Sequence, residues 1–238
     1  RLSRMLTSEK TQRDGGVMIR SIQPPVPTGD AAARYERLSH GGATWYDLIP
    51  TPANGTDSGT PGFWPTFDGL SGVDLGQPAK LDFTGAFTCS FWAKQATDVP
   101  TGVERVVARD GGGGRSWIVQ TNDPSGALQT FMWGVGFPSP GYRIVTTPGN
   151  PIAVWHYATF VNEGAGNDLV NFIDGVEQAR EVGGGGAPLL PAINTQIGQD
   201  NAASSKFQGE LDTVRLYPRA LSPDEILRDY HAGKPAHP

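Results

Sequence analysis

The chain has 238 residues, 37% of them apolar, and a formal net charge of −5. That length suits one large β-sandwich, and the acidic balance argues against a Lys/Arg-lined groove tracking a phosphate backbone, so nucleic acid is not an expected partner. No run approaches the roughly 20 apolar residues that span a bilayer, so no membrane partner is expected either.

The first 27 residues carry Arg1, Arg4, Lys10, Arg13 and Arg20 against Glu9 and Asp14, and close on Pro24, Pro25 and Pro27. They have no sustained hydrophobic period and no apolar stretch of the kind a secretory signal contains. This predicts an extended N-terminal arm over 1–27, ordered by a partner, ahead of a sandwich over 28–238. From Ala31 the texture changes. Gly 32 and Pro 20 together exceed a fifth of the chain without a collagen-like period, which implies many short strands joined by turns.

Strand-like runs follow in order: RYERL, FWPTFDG, FTCSFWAK, RVVARD, RSWIVQT, LQTFMWGVG, YRIVTT, AVWHYATFV, LVNFIDG, TQIGQ and LDTVRLY. In FTCSFWAK, Phe87, Cys89, Phe91 and Ala93 alternate with Thr88, Ser90, Trp92 and Lys94, the period of two that an antiparallel strand requires. Asp174-Gly175 between two runs predicts a hairpin whose two central residues both take positive φ. The glycine runs Gly111–Gly114 and Gly183–Gly186 read as flexible loop tips. One helix is predicted, in LSPDEILRDYHAG. Ser222 caps it, Pro223 opens it, Glu225 completes a capping box and Gly233 ends it.

The sole cysteine, Cys89, excludes an intrachain disulfide and a cysteine zinc cage. Its apolar neighbours place it in the core.

Four segments carry a resemblance. FQGELDTVRLYPRALSPDEILRDYHAG at 207–233 is similar to the closing strand and helix of laminin-G-like jelly rolls of the concanavalin A-like lectin/glucanase superfamily. FDGLSGVDLG at 67–76 resembles the family's early "FDG" strand pair, and FTCSFWAKQ at 87–95 its aromatic-T-x-S-x-W strand. AVWHYATFVN with FIDGVEQ resembles the "W-H" strand and the hairpin after it. The resemblance implies an all-β fold, a two-sheet antiparallel jelly-roll sandwich with six or seven strands per sheet and one short C-terminal helix. It implies binding or adhesion rather than catalysis, and a structural calcium ion near an aspartate of the closing strand, which here is Asp212.

Retaining glucanases on this sandwich use paired carboxylates about 5–5.5 Å apart, in an E-x-D-x-x-E strand. The nearest segment, Glu210-Leu211-Asp212-Thr213-Val214-Arg215, has an arginine at the third acidic position. There is no G-x-S-x-G elbow, no phosphate-loop Lys-Ser/Thr, and no metal-ligand spacing among His40, His156, His231 and His237. No enzymatic activity is expected, and glycoside hydrolysis stands only as a third reading. Calcium is the one cofactor expected. Hard cations take several oxygen ligands, and Asp47, Asp57, Asp68 and Asp74 join Asp212 as acidic candidates, with Asp212, Asp47 and Asp68 foremost. Each has a plainer reading, a turn or a backbone hydrogen bond.

Aromatic faces stack on sugar rings, which makes exposed Trp and Tyr ligand candidates. Trp117 follows the first glycine run, and Trp133, Phe137 and Tyr142 flank the GVGFPSPG turn; these four are the predicted ligand-binding residues at a loop-rich edge. The alternative is that they cover the sandwich rim or a subunit contact. Asn54-Gly55-Thr56 is a formal glycosylation sequon that reads as a turn. Two functions follow. One is a recognition or adhesion module for a glycan or a surface protein. The other is a structural component of an assembly, such as a bacteriophage capsid decoration or tail protein, docked on capsid or tail subunits by residues 1–27, as a monomer or a homo-oligomer. Both suit a virion or an extracellular, cell-surface location.

Overall fold

The computed structural model describes residues 11–13, 16–18, 34–40, 43–49, 66–69, 72–96, 102–111, 114–123, 125–134, 137, 141–149, 153–202, 205–234 and 237. Within the predicted arm, β1 (Thr11–Arg13) and β2 (Gly16–Met18) pair antiparallel, Thr11 opposite Met18. The rest of the arm lies outside the described residues, as do Asp57 and the Asn54–Thr56 sequon. Then come β3 (Arg34–His40), β4 (Ala43–Ile49), β5 (Thr66–Asp68), β6 (Val73–Asp74) and a 3-10 turn at Ala79–Leu81. Next are β7 (Phe87–Gln95), β8 (Gly102–Gly111), β9 (Gly114–Asp123), β10 (Ala127–Trp133), β11 (Tyr142–Thr146) and β12 (His156–Asn162). The chain closes with β13 (Leu169–Ile173), β14 (Val176–Glu181), β15 (Gln196–Ile197), β16 (Gln208–Tyr217) and α1 (Pro223–Gly233).

These strands form two facing antiparallel sheets. One runs β11-β10-β9-β8-β15-β6; the other runs β14-β13-β12-β7-β16-β4-β3, with β5 also paired to β16. The two strands of the early segment FDGLSGVDLG do not pair with each other: β5 joins β16 and β6 joins β15 in the opposite sheet. The sequence reading also missed β4, whose ATWYDLI pairs with β3 and with β16.

Alternation builds the core. Phe87, Cys89 and Phe91 of β7 and Ala158 and Phe160 of β12 meet Trp117 and Val119 of β9 and Leu128 and Met132 of β10 between the sheets. Each fully buried aromatic or large aliphatic here contributes about 1.5–3 kcal/mol. Burial pushes the Cys89 thiol far up, so it stays protonated and unreactive. In β16 both Leu211 and Val214 reach this core, although three residues apart would put them on opposite faces. A bulge between Asp212 and Arg215, with Thr213 at φ 51°, resets the alternation.

The helix forms as its sequence dictates. The Ser222 side chain accepts from the Glu225 N–H while the Glu225 carboxylate accepts from the Ser222 N–H, and Arg219 grips the same carboxylate with two N–H groups at 2.9 and 2.7 Å. This bidentate pair and the cap hold the Glu225 carboxyl down at about 2. Asp174 and Gly175 take φ 54° and 80°, as the hairpin reading requires.

Two glycine readings are corrected. Gly233 is the last helical residue rather than a left-handed cap, and a Cβ there would stand 2.4 Å from the Trp92 indole nitrogen. Its role is to let the helix approach that ring. Gly184, Gly185 and Gly186 are buried rather than a free loop tip. Asn162 fixes Gly186 through both its N–H and its carbonyl, and a Cβ on Gly185 would strike the Gly164 carbonyl at 2.5 Å.

Candidate functional site

Each sheet has an outer face, and both carry aromatic residues. On the eight-stranded sheet, Trp92, Tyr157, Val161, Val170, Phe172 and Tyr217 point away from the core and are covered by α1 through Ile226 and the partly buried Tyr230. His237 closes this cluster: its ring stacks on Trp92 at 4.2 Å between centroids, Nδ1 meets the Gly233 carbonyl at 2.8 Å and Nε2 meets Asp212 Oδ2 at 2.9 Å.

The six-stranded sheet differs. In β10, Phe131 and Trp133 lie two apart and share the outer face, while Met132 between them points inward. Tyr142 and Ile144 of β11 stand opposite Trp133 and Phe131, and Ile118 of β9 stands opposite Phe131. The three rings form a triangle with centroids 5.6–5.7 Å apart, resting on Ile118 and Ala108.

Over the Trp133 ring lies a guanidinium, with Arg115 Cζ 5.0 Å from the centroid and its side chain 63% exposed. Arg115 Nε is also 3.7 Å from Asp110 Oδ1, an ion-pair contact too long for a hydrogen bond. Arg105 stands on the far side of Asp110 and between it and Asp200, 3.9 Å from each carboxylate. Burial raises the Asp110 carboxyl and lowers the Arg105 guanidinium, with the neighbouring opposite charges working against both shifts. Across the same face, the side chains of Gln120, Gln129 and Thr146 link by hydrogen bonds of 2.6 and 3.2 Å. Arg105 Nε, Asp110 Oδ1 and Gln120 Oε1 are buried without a hydrogen-bond partner among the described residues. The face thus combines stacked aromatic rings, an exposed guanidinium and buried polar groups with unused hydrogen-bonding capacity.

Of the four predicted ligand residues, Trp133 and Tyr142 come together here. Trp117 does not: on β9 it shares the inward face with Val119, is 1% exposed and packs on Phe87 at 5.4 Å. Phe137 packs toward the core against Gly134 and Gly186 and carries Arg143 above its ring at 5.3 Å, so it flanks the triangle without joining it. Phe131 and Arg115 were missed. The alternation in LQTFMW, which puts Phe131 and Trp133 on one face, was the available signal for the first.

The predicted metal aspartates are dispersed. Asp212 accepts from the Thr213 N–H and faces His237. Asp68 on β5 stands opposite Gln208, four residues or ~13 Å along β16 from Asp212. Asp47 lies opposite Arg215 on β4, where side chains are not described. Asp74 accepts from the Gly76 N–H and from Asn194 Nδ2. Among the described residues no group of three or more His, Cys, Asp or Glu is placed to hold a metal ion. In the segment compared with the glucanase motif, Glu210 pairs with Lys94 at 3.3 Å.

A family model described as the concanavalin A-like lectin/glucanases superfamily matches residues 67–227. Among solved structures, the CBM40 of the Ruminococcus gnavus IT-sialidase bound to α2,3 sialyllactose superposes with a TM-score of 0.59 at 13% identity, over 70% of this chain and 95% of that one. The binding domain of Paraclostridial Mosquitocidal Protein 1 gives 0.52 at 16% identity, over 68% and 41% respectively. A mutant of the NanB sialidase from Streptococcus pneumoniae gives 0.55 at 17%, over 71% and 28%. The chain therefore spans less than half of the latter two, and likeness at these identities speaks for the fold. A search of curated proteins gives no match.

Proposed function

The chain belongs to the concanavalin A-like lectin/glucanase superfamily, and from that premise we propose that it is a non-catalytic glycan-binding module whose receptor surface is the outer face of the six-stranded sheet. The observation that carries this is the triangle of Phe131, Trp133 and Tyr142. Its central ring is topped, among the described residues, by a displaceable arginine side chain. The C–H faces of a sugar ring stack on such a platform. The structural neighbours, a carbohydrate-binding module and a toxin binding domain, support a binding role. A sheet face replaces the loop edge expected from the sequence.

The test is a glycan array probed with the full chain, followed by titration of the tightest ligand against wild type, Trp133→Ala and Tyr142→Ala. The proposal expects binding that falls at least tenfold in Trp133→Ala and severalfold in Tyr142→Ala while both variants keep a cooperative melt. Unaltered affinity in folded Trp133→Ala contradicts it.

A further inference from the structure

We propose that this surface selects acidic saccharides, sugars bearing a carboxylate or a sulfate, and that Arg115 is the specificity-determining residue. The inference rests on the glycan-binding reading and adds the charge class of the ligand.

Arg115 lies where a sugar ring would stack, so any ligand of Trp133 has to move it. Little holds it there. Its side chain is 63% exposed and makes no hydrogen bond to a described residue, and its ion pair with Asp110 is 3.7 Å long. Moving it does not orphan Asp110, because Arg105 Nη2 stays 3.9 Å from the other carboxylate oxygen. A neutral sugar displaces the cation from the ring and offers it no charge in return. An acidic sugar supplies the planar guanidinium with a bidentate anionic partner at the moment it leaves the indole. On this face Asp110 and Asp200 flank Arg105 at 3.9 Å each, so a displaced Arg115 is the guanidinium left to meet an anion.

The experiment uses the full chain on an array of neutral, carboxylated and sulfated saccharides, then titrates the tightest acidic glycan and its neutral parent against wild type, Arg115→Ala and Arg115→Lys. The expected result is at least a tenfold preference for the acidic glycan in wild type, weakening as salt rises. In Arg115→Ala the preference should shrink to about twofold while the neutral parent binds as well as before or better. Arg115→Lys should retain part of it. Whether the carboxylated or the sulfated arm binds tighter identifies the source of the anion. Equal binding of acidic and neutral glycans by wild type overturns the inference and leaves the glycan-binding function standing, as does an undiminished preference in Arg115→Ala or equal loss of both ligands there. Binding of no glycan by wild type overturns both.

Discussion

The two outer faces of the sandwich are built alike and finished differently. Trp155, against the helix side, is 9% exposed and Trp133 is 8% exposed, so accessibility alone does not distinguish them. What covers them does. Trp155 meets His237 edge-on and belongs to a cluster closed by α1, where the covering groups are themselves fixed by hydrogen bonds to Asp212 and to the Gly233 carbonyl. Among the described residues, the group set over the face of the Trp133 ring is a solvent-exposed arginine. An aromatic cluster reads as core when its lid is part of the fold, and as a receptor when its lid is a side chain that water or a ligand can replace.

Removing the ring on the closed side should have the largest effect on stability. Trp92, 2% exposed and stacked on His237 and Tyr230, should cost about 3–5 kcal/mol as Trp92→Ala in chemical denaturation, with glycan affinity per folded molecule unchanged. A loss of affinity equal to that of Trp133→Ala would erase the distinction between the faces. Crowding the same face is the next largest effect. Gly233→Ala places a methyl against the Trp92 indole and should cost about 2 kcal/mol, although alanine is the better helix former; a stabilised variant would show that the close approach is not required.

Trp133→Ala should behave in the opposite sense to Trp92→Ala. It should cost only about 1–2 kcal/mol, since one face of the ring meets a solvent-exposed side chain, yet abolish most binding. The smallest effect concerns the helix that covers the closed face. The Glu225 carboxyl, held at about 2 against an ordinary 4.5, is a group with a depressed folded pKa. Its contribution is therefore fully present above pH ~4.5 and is lost as pH falls through about 2. The side chain is 26% exposed, so solvent screening limits the term to about 1 kcal/mol. Thermal melts of wild type and Glu225→Gln should differ at pH 7 and converge toward pH 2; an unchanging gap would place the effect elsewhere.

Much of this was legible in the sequence because it rests on local rules. Period-two alternation marks β7 and β12, the Asp174-Gly175 turn needs two positive φ values, and the Ser222/Glu225 box starts α1 where the residues say it starts. The less legible features depend on what packs against a residue from far along the chain. Trp117 looks like a loop-edge aromatic because it follows glycines, but its parity on β9 turns it into the core. Gly233 looks like a helix stop and is instead a clearance for a ring 141 residues earlier in the chain. Gly184 to Gly186 look like slack and are buried, Gly186 being clamped by Asn162. Arg115 carries no sequence signal of function at all, since its place over Trp133 arises only when β9 and β10 pair.

The most direct test of the account is a crystal structure of the full chain with its tightest acidic array glycan. The account predicts a sugar ring stacked on Trp133, within the triangle of Phe131 and Tyr142, with its acidic group on the Arg115 guanidinium, which has swung off the indole. A saccharide seated elsewhere, at the sandwich ends or beside Asp212, with Arg115 still over Trp133, would contradict it.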